Sequence, residues 1–195
     1  MTVGLRERKK AATRLALHQA AVRLALAHGV DRITVEAIAD EVGVSRRTFS
    51  NYFANKEQAL LYGDQERMDR MLAAVRARPA EEPAWAALSG AAADFYVDLG
   101  DLDQQAVLRW RMIRKSPVLA AHRVTLFTAL ERELSAEVTA RSAADDPMGV
   151  RARLTAAAFL TALRVSLDVW LDQPPGVRLA DVVSRALAEA AGGFT

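Results

Sequence analysis

The chain has 195 residues, with 26 Lys plus Arg against 24 Asp plus Glu, 51% hydrophobic residues and no cysteine. That balance excludes generic disorder, and the length is sufficient for one large or two small cores. The missing thiol excludes disulfide scaffolds, thiol redox chemistry and Cys-ligated zinc together. No uncharged run exceeds eleven residues, whereas a membrane span needs about 20 apolar ones, so no membrane segment is expected. The amino terminus has neither the apolar core nor the cleavage site of a secretory leader, which points to the cytoplasm.

The formal net charge of +2 conceals a division. Residues 1–56 hold ten basic and five acidic side chains, a balance of +5, and residues 57–195 hold sixteen and nineteen, a balance of −3. A basic head on an acidic body suggests a polyanion-binding module joined to something of a different kind. A solvated helix face with a basic tail would give the same count.

Alanine occurs 39 times, and Gly and Pro fall between long periodic segments, so the expected fold is all-α. The first helix is predicted over Leu5–His28, with Leu17, Ala21, Leu24 and His28 on one stripe and Gly29 as its stop. A second starts behind Thr34 and ends before Gly43, and a short third runs from Ser45 to about Tyr52. Asn55, with Gln58 three residues on, opens a fourth that reaches about Arg76. After the Pro79 to Pro83 break, helices are predicted over Ala84–Leu99, from Asp103 to Lys115, and from Ser116-Pro117 to Arg141. Asp146-Pro147 opens an eighth, 147–171, and Pro174-Pro175-Gly176 separates it from a last one over 179–190. This gives about nine helices.

The most informative stretch runs from Ile33 to Phe53. Two short helices joined by Gly43-Val44-Ser45 have the form of a helix-turn-helix. Ala39 is small where the second helix must come close, Gly43 can take the left-handed conformation, and Ile38, Val44 and Phe49 can fill the space between. The exposed face of the second helix then offers Arg46, Arg47, Ser50 and Asn51. Seven residues make a helix of roughly 10 Å, a size the major groove admits.

From Thr13 to Leu61 the sequence resembles the TetR family of bacterial transcriptional regulators. The resemblance rests on Thr34-Val35-x-x-Ile38-Ala39, Gly43-Val44-Ser45, Thr48-Phe49 and Tyr52-Phe53-x-Asn55-Lys56-Glu57. It implies a homodimer with a DNA-binding domain at 1–56 and a ligand-binding and dimerisation domain at 57–195. It also implies phosphate contacts from Thr34, Ser45, Thr48, Tyr52 and Lys56, and base-facing positions for Arg46, Arg47 and Asn51. The chemistry agrees: Arg pairs with guanine edges, Asn with adenine edges, and hydroxyls with phosphate. Lys56 also stands at a helix start, where free N–H groups favour a phosphate. Two positions depart from the family pattern. Ser50 stands where many members carry an aromatic, often a phosphate-contacting Tyr, and Ala25 where an aromatic usually packs under the hairpin.

In the body, Trp85, Phe95, Tyr96, Trp110, Phe127 and Phe159, with Arg109, Arg114 and His122, are the candidate ligand-binding residues. Aromatics at helical spacing are core residues in most proteins, and arginines are most often solvated. Together they would suit an apolar cavity with a cationic rim, fit for an acidic amphiphile. Residues 105–141 also resemble the C-terminal domain of mycofactocin-system regulators, which implies an acyl-CoA-like effector. Helices 147–171 and 179–190, with small and apolar residues along one side, are the expected dimer seam. The helix after Asn55 is then the covalent link through which ligand would move the heads.

No cofactor, metal or catalytic residue is expected. An acyl-thioester hydrolase is the enzymatic alternative, but there is no Gly-x-Ser-x-Gly elbow, and the three histidines form no triad pattern. His18 is expected to be exposed, His28 to serve the helix dipole, and His122 to be either core or a polar group of the cavity. A sequence-independent nucleoid protein is the other alternative, opposed by the acidic body.

Overall fold

The computed structural model describes residues 4–99, 104–142, 146–174 and 176–193. Among these, the regular elements are nine α-helices and one 3-10 turn, the all-α architecture expected. The helices are α1 (Leu5–His28), α2 (Val35–Val42), α3 (Arg46–Ser50), α4 (Lys56–Arg76), α5 (Ala84–Leu99), α6 (Gln104–Lys115), α7 (Pro117–Arg141), α8 (Val150–Leu171) and α9 (Leu179–Gly192). The turn, Val30–Arg32, follows α1. Asp103 and Pro175, expected at element boundaries, lie outside the described residues.

Side-chain caps fix most of the starts. Thr34 Oγ1 accepts from the Ala37 N–H (3.1 Å) and Ser45 Oγ from the Thr48 N–H (3.1 Å), opening α2 and α3. Gly43 sits at φ 71°, the left-handed turn that ends α2. Asn55 Oδ1 accepts from the Gln58 N–H (2.8 Å), while Gln58 Oε1 reaches back to the Ala54 N–H (2.7 Å), one residue beyond a capping box.

α8 begins at Val150, not at Pro147, because Gly149 is left-handed at φ 65° and interrupts the helical path. Asp146 still caps it from a distance, accepting from the Val150 (3.0 Å) and Ala152 (3.1 Å) N–H groups. By length and composition α8 is also able to cross a membrane, contrary to the expectation from uncharged runs. Arg164 and Asp168 divide its apolar residues into short uncharged runs and pair with one another one turn apart (3.2 Å). A core helix of a protein that never meets a membrane satisfies the same criterion.

The chain forms two compact units: described residues up to Glu66 with Leu108–Arg123, and Arg67–Val107 with the remainder from Val124. α4, α6 and α7 each run from one unit into the other, so α4 is not alone in linking them. In the first unit α1 packs on α2 and α2 on α3, around Leu17, Ile38, Phe49, Phe53 and Leu60. Trp110, Ile113 and Leu119 are also buried there.

In the second unit α9 packs on α8 and α5, burying Leu88, Phe159, Val183 and Leu187. Arg141 of α7 closes the end of α4 by donating to the carbonyls of Val75 (2.9 Å), Arg78 (3.2 Å) and Pro79. Arg76 forks onto Glu133 and Glu137, and Arg78 onto Glu82. The Arg78 guanidinium holds the Glu82 carboxyl below the usual carboxylate range. Its contribution is therefore complete above the ordinary carboxylate pKa and is lost only as pH falls through the lowered value.

Gly43→Ala places a Cβ in the left-handed region. A loss of about 1 to 2 kcal/mol is expected, a fall of roughly 2 to 8 °C in the thermal midpoint. An unchanged midpoint would show that the turn between α2 and α3 does not need glycine.

Candidate nucleic-acid interface

The helix-turn-helix is built as its sequence requires. Ile38, Ala39 and Phe49 are buried, and Val44 is half-buried, between α2 and α3. With its inner face committed to packing, the five-residue α3 turns Arg46, Arg47 and Ser50 to solvent. Thr34, Ser45 and Asn51 are exposed with them, and Thr48 and Tyr52 are half-buried at the edges.

Several of these side chains already have partners. Arg46 pairs with Glu36 of α2 (3.0 Å) in an open, solvated contact, a weak bond that a guanine edge can displace. Ser45 and Thr48 share a hydroxyl hydrogen bond (2.9 Å). Ser50 Oγ donates to the Arg46 carbonyl (3.2 Å) and lies along its own helix.

Lys56, assigned to phosphate by the resemblance, has its ammonium elsewhere. Nζ donates to the carbonyls of Val30 (3.0 Å), Ile33 (3.0 Å) and Asp31 (3.4 Å), tying the start of α4 to the link between α1 and α2. The lysine thus supplies a donor to carbonyls in and just after the turn. Its main-chain N–H, at the first residue of α4, is a separate donor.

A polar layer that sequence reasoning missed lies behind the interface. His18 is buried, not exposed, and its Nδ1 lies 2.8 Å from the Ala59 carbonyl of α4. Its ring meets Tyr62 edge-on at 5.7 Å. Arg14, one turn earlier, stacks over Tyr62 (5.0 Å) and Phe53 (5.4 Å), and its Nη2 reaches the Tyr52 carbonyl (3.5 Å). Asp64 is buried on the same helix as Ala59 and Tyr62, with Arg123 at 3.9 Å. The signal was available: 14, 18, 21 and 25 also share one face of α1, adjacent to the stripe drawn through Leu17, Ala21, Leu24 and His28. Ala25 is buried on that face.

The candidate ligand residues fall in both units. Arg109, Trp110, Arg114 and His122 belong to the first, and Trp85, Phe95, Tyr96, Phe127 and Phe159 to the second. Trp110 and Phe159 are buried and Arg114 is exposed. His122 is half-buried, with Nδ1 at 3.0 Å from the Val118 carbonyl one turn earlier. Phe95 and Tyr96 meet edge-on (5.4 Å), with Arg70 over the Phe95 ring (5.4 Å).

Residues 17–62 match the family described as bacterial regulatory proteins, tetR family, and residues 82–195 match the MftR C-terminal domain. The HTH-type transcriptional regulator TcmR of Streptomyces glaucescens is 33% identical over 173 residues, which cover 86% of this chain and 76% of TcmR. The chain belongs to the TetR family. It is a DNA-binding transcriptional regulator with an amino-terminal helix-turn-helix. Two solved structures share the fold of this TetR-family chain. FadR of Bacillus subtilis, in complex with stearoyl-CoA, has a TM-score of 0.63 at 18% identity, covering 93% of this chain and 99% of that one. The fatty acid degradation regulator FadR of Bacillus halodurans has a TM-score of 0.58 at 19% identity, covering 100% and 98%.

Lys56→Met removes the three carbonyl bonds while keeping the aliphatic stem. A loss of about 1 to 3 kcal/mol in denaturant titration is expected, with the salt dependence of DNA binding unchanged. A flatter salt dependence at unchanged stability would return the ammonium to the phosphate.

Proposed function

We propose that this chain is a ligand-responsive repressor that binds a two-fold symmetric operator as a homodimer and is released by a small, acyl-CoA-like effector. The helix-turn-helix geometry carries the reading: α3 is short, capped, packed on its inner face, and basic at its exposed start. On this reading residues 1–56 are the DNA-binding domain and 57–195 the ligand and dimerisation domain. Arg46, Arg47 and Asn51 face bases. Thr34, Ser45, Thr48 and Tyr52 hold phosphates through their hydroxyls, and Lys56 does so through its main-chain N–H. Ser50 borders them. The protein then works in the cytoplasm, where its DNA is.

The dimer seam is assigned to α8 and α9. α8 leaves Leu154, Val165 and Val169 exposed, with Leu154 at 65%, and a second copy would cover them. The residues put forward for effector contact are, in the second unit, Trp85, Phe95, Tyr96, Phe127 and Phe159 and, in the first, Arg109, Trp110, Arg114 and His122. Stearoyl-CoA bound by the Bacillus subtilis FadR supports the ligand class.

Selection from a pool of random duplexes, followed by sequencing, tests the DNA reading. A two-fold symmetric motif is expected, and Arg46→Ala should relax preference at one position of each half by about 1 to 3 kcal/mol. No enrichment of any motif would favour a sequence-independent nucleoid protein. Stearoyl-CoA titrated into the selected complex should weaken it roughly 5- to 150-fold. Unchanged affinity at saturation would remove the acyl-CoA assignment and leave the DNA reading standing.

A further inference from the structure

α1 is 24 residues long, yet its buried residues begin only at Leu17. Residues 5–12 are all exposed, so the first turns of the helix run past the core of the unit that holds them. Arg6, Lys9, Lys10 and Thr13 follow the spacing i, i+3, i+4, i+7 and therefore form one strip along this projecting part. Glu7 and Arg8 lie off it. Continued toward the carboxyl end at alternating steps of four and three, the strip passes through Leu17 and Ala20, both at 0% exposure.

Neighbours of the strip show which way it faces. Arg14 on one flank reaches the Tyr52 carbonyl just after α3 (3.5 Å), and Arg23 on the other pairs with Glu41 of α2 (3.3 Å). Leu17 and Ala20, between those flanks, are buried, whereas Leu15 and Leu26 on the opposite side are exposed. The strip is thus apolar where α1 lies on the helix-turn-helix and basic where α1 runs beyond it.

We propose that Arg6, Lys9 and Lys10 form a second DNA contact, holding operator phosphates beside the groove entered by α3. The strip is continuous with the face that packs on the reading head, its charge matches the phosphate backbone, and a strip from Arg6 to Thr13 spans roughly 10 Å of helix. These contacts carry no base information; they set affinity and orientation. The proposal rests on the DNA-binding reading given above, and its test separates the two.

The test compares the full-length protein with Arg6→Gln/Lys9→Gln/Lys10→Gln and with Arg8→Gln, on the duplex selected by the wild type and on a random-sequence duplex of equal length. Glutamine preserves helix propensity, and a circular dichroism melt checks the fold. The triple variant should bind both duplexes more weakly with their ratio unchanged. Its plot of log affinity against log salt should flatten by about 0.9 for each phosphate no longer neutralised, roughly two to three per head, while Arg8→Gln stays as wild type. An unchanged slope in the triple variant, or an equal change per charge from Arg8→Gln, would overturn the strip. If the wild type selects no motif, the operator reading fails, and the slopes on the random duplex still decide whether the strip touches phosphate.

Discussion

The first unit is assembled on a bare spot of α4. A Cβ at Gly63 would lie 2.8 Å from Arg109 Nη1 and 2.9 Å from His18 Nε2, closer than real side chains tolerate. Hydrogen at this position lets α1 and α6 meet the same turn of α4, with the Ala59 carbonyl against His18 just above and Asp64 facing Arg123 just beyond. Arg109 has a flexible stem and could retreat. The His18 ring is held by the Ala59 carbonyl and the Tyr62 edge, so it could not move away without losing both. The helix-turn-helix is mounted on these same residues, because Arg14 and Tyr62 enclose Phe53 and Arg14 reaches Tyr52.

This arrangement gives the regulatory reading a physical route. Ligand can shift an equilibrium only through contacts that differ between two states. α6 leaves the second unit and enters the first, where Arg109 presses on the turn of α4 that supports the reading head. A change in α6 therefore reaches the same residues as a change in α4. The sequence points to α4 alone as the lever, because chain order makes it the bridge; α6 and α7 also pass from one unit to the other.

Elements whose ends are set by local chemistry are legible in the chain. Thr34, Gly43 and Ser45 act within three residues of themselves, and the boundaries of α2 and the start of α3 follow from them. The start of α8 falls three residues later than its pattern suggests because Asp146 caps it from a distance across a left-handed glycine. Pattern alone does not distinguish that geometry from Pro at the first helical position. The burial of His18 is hidden for a different reason. It depends on Ala59 and Gly63, about 40 residues away, and an adjacent apolar stripe already gives α1 a face to bury. For Lys56 the motif gives the position at the start of α4, and the fold turns its ammonium toward three carbonyls that lie 23 to 26 residues earlier.

The thermal midpoint of Gly63→Ala, measured without DNA or ligand, tests the central claim most directly. In the interior of a helix this exchange favours alanine by roughly 1 kcal/mol when nothing presses on the site. The close approach of His18 and Arg109 predicts the opposite sign, a lowered midpoint. A midpoint raised by a few degrees would contradict the account, because it would show that α1 and α6 do not depend on the missing side chain.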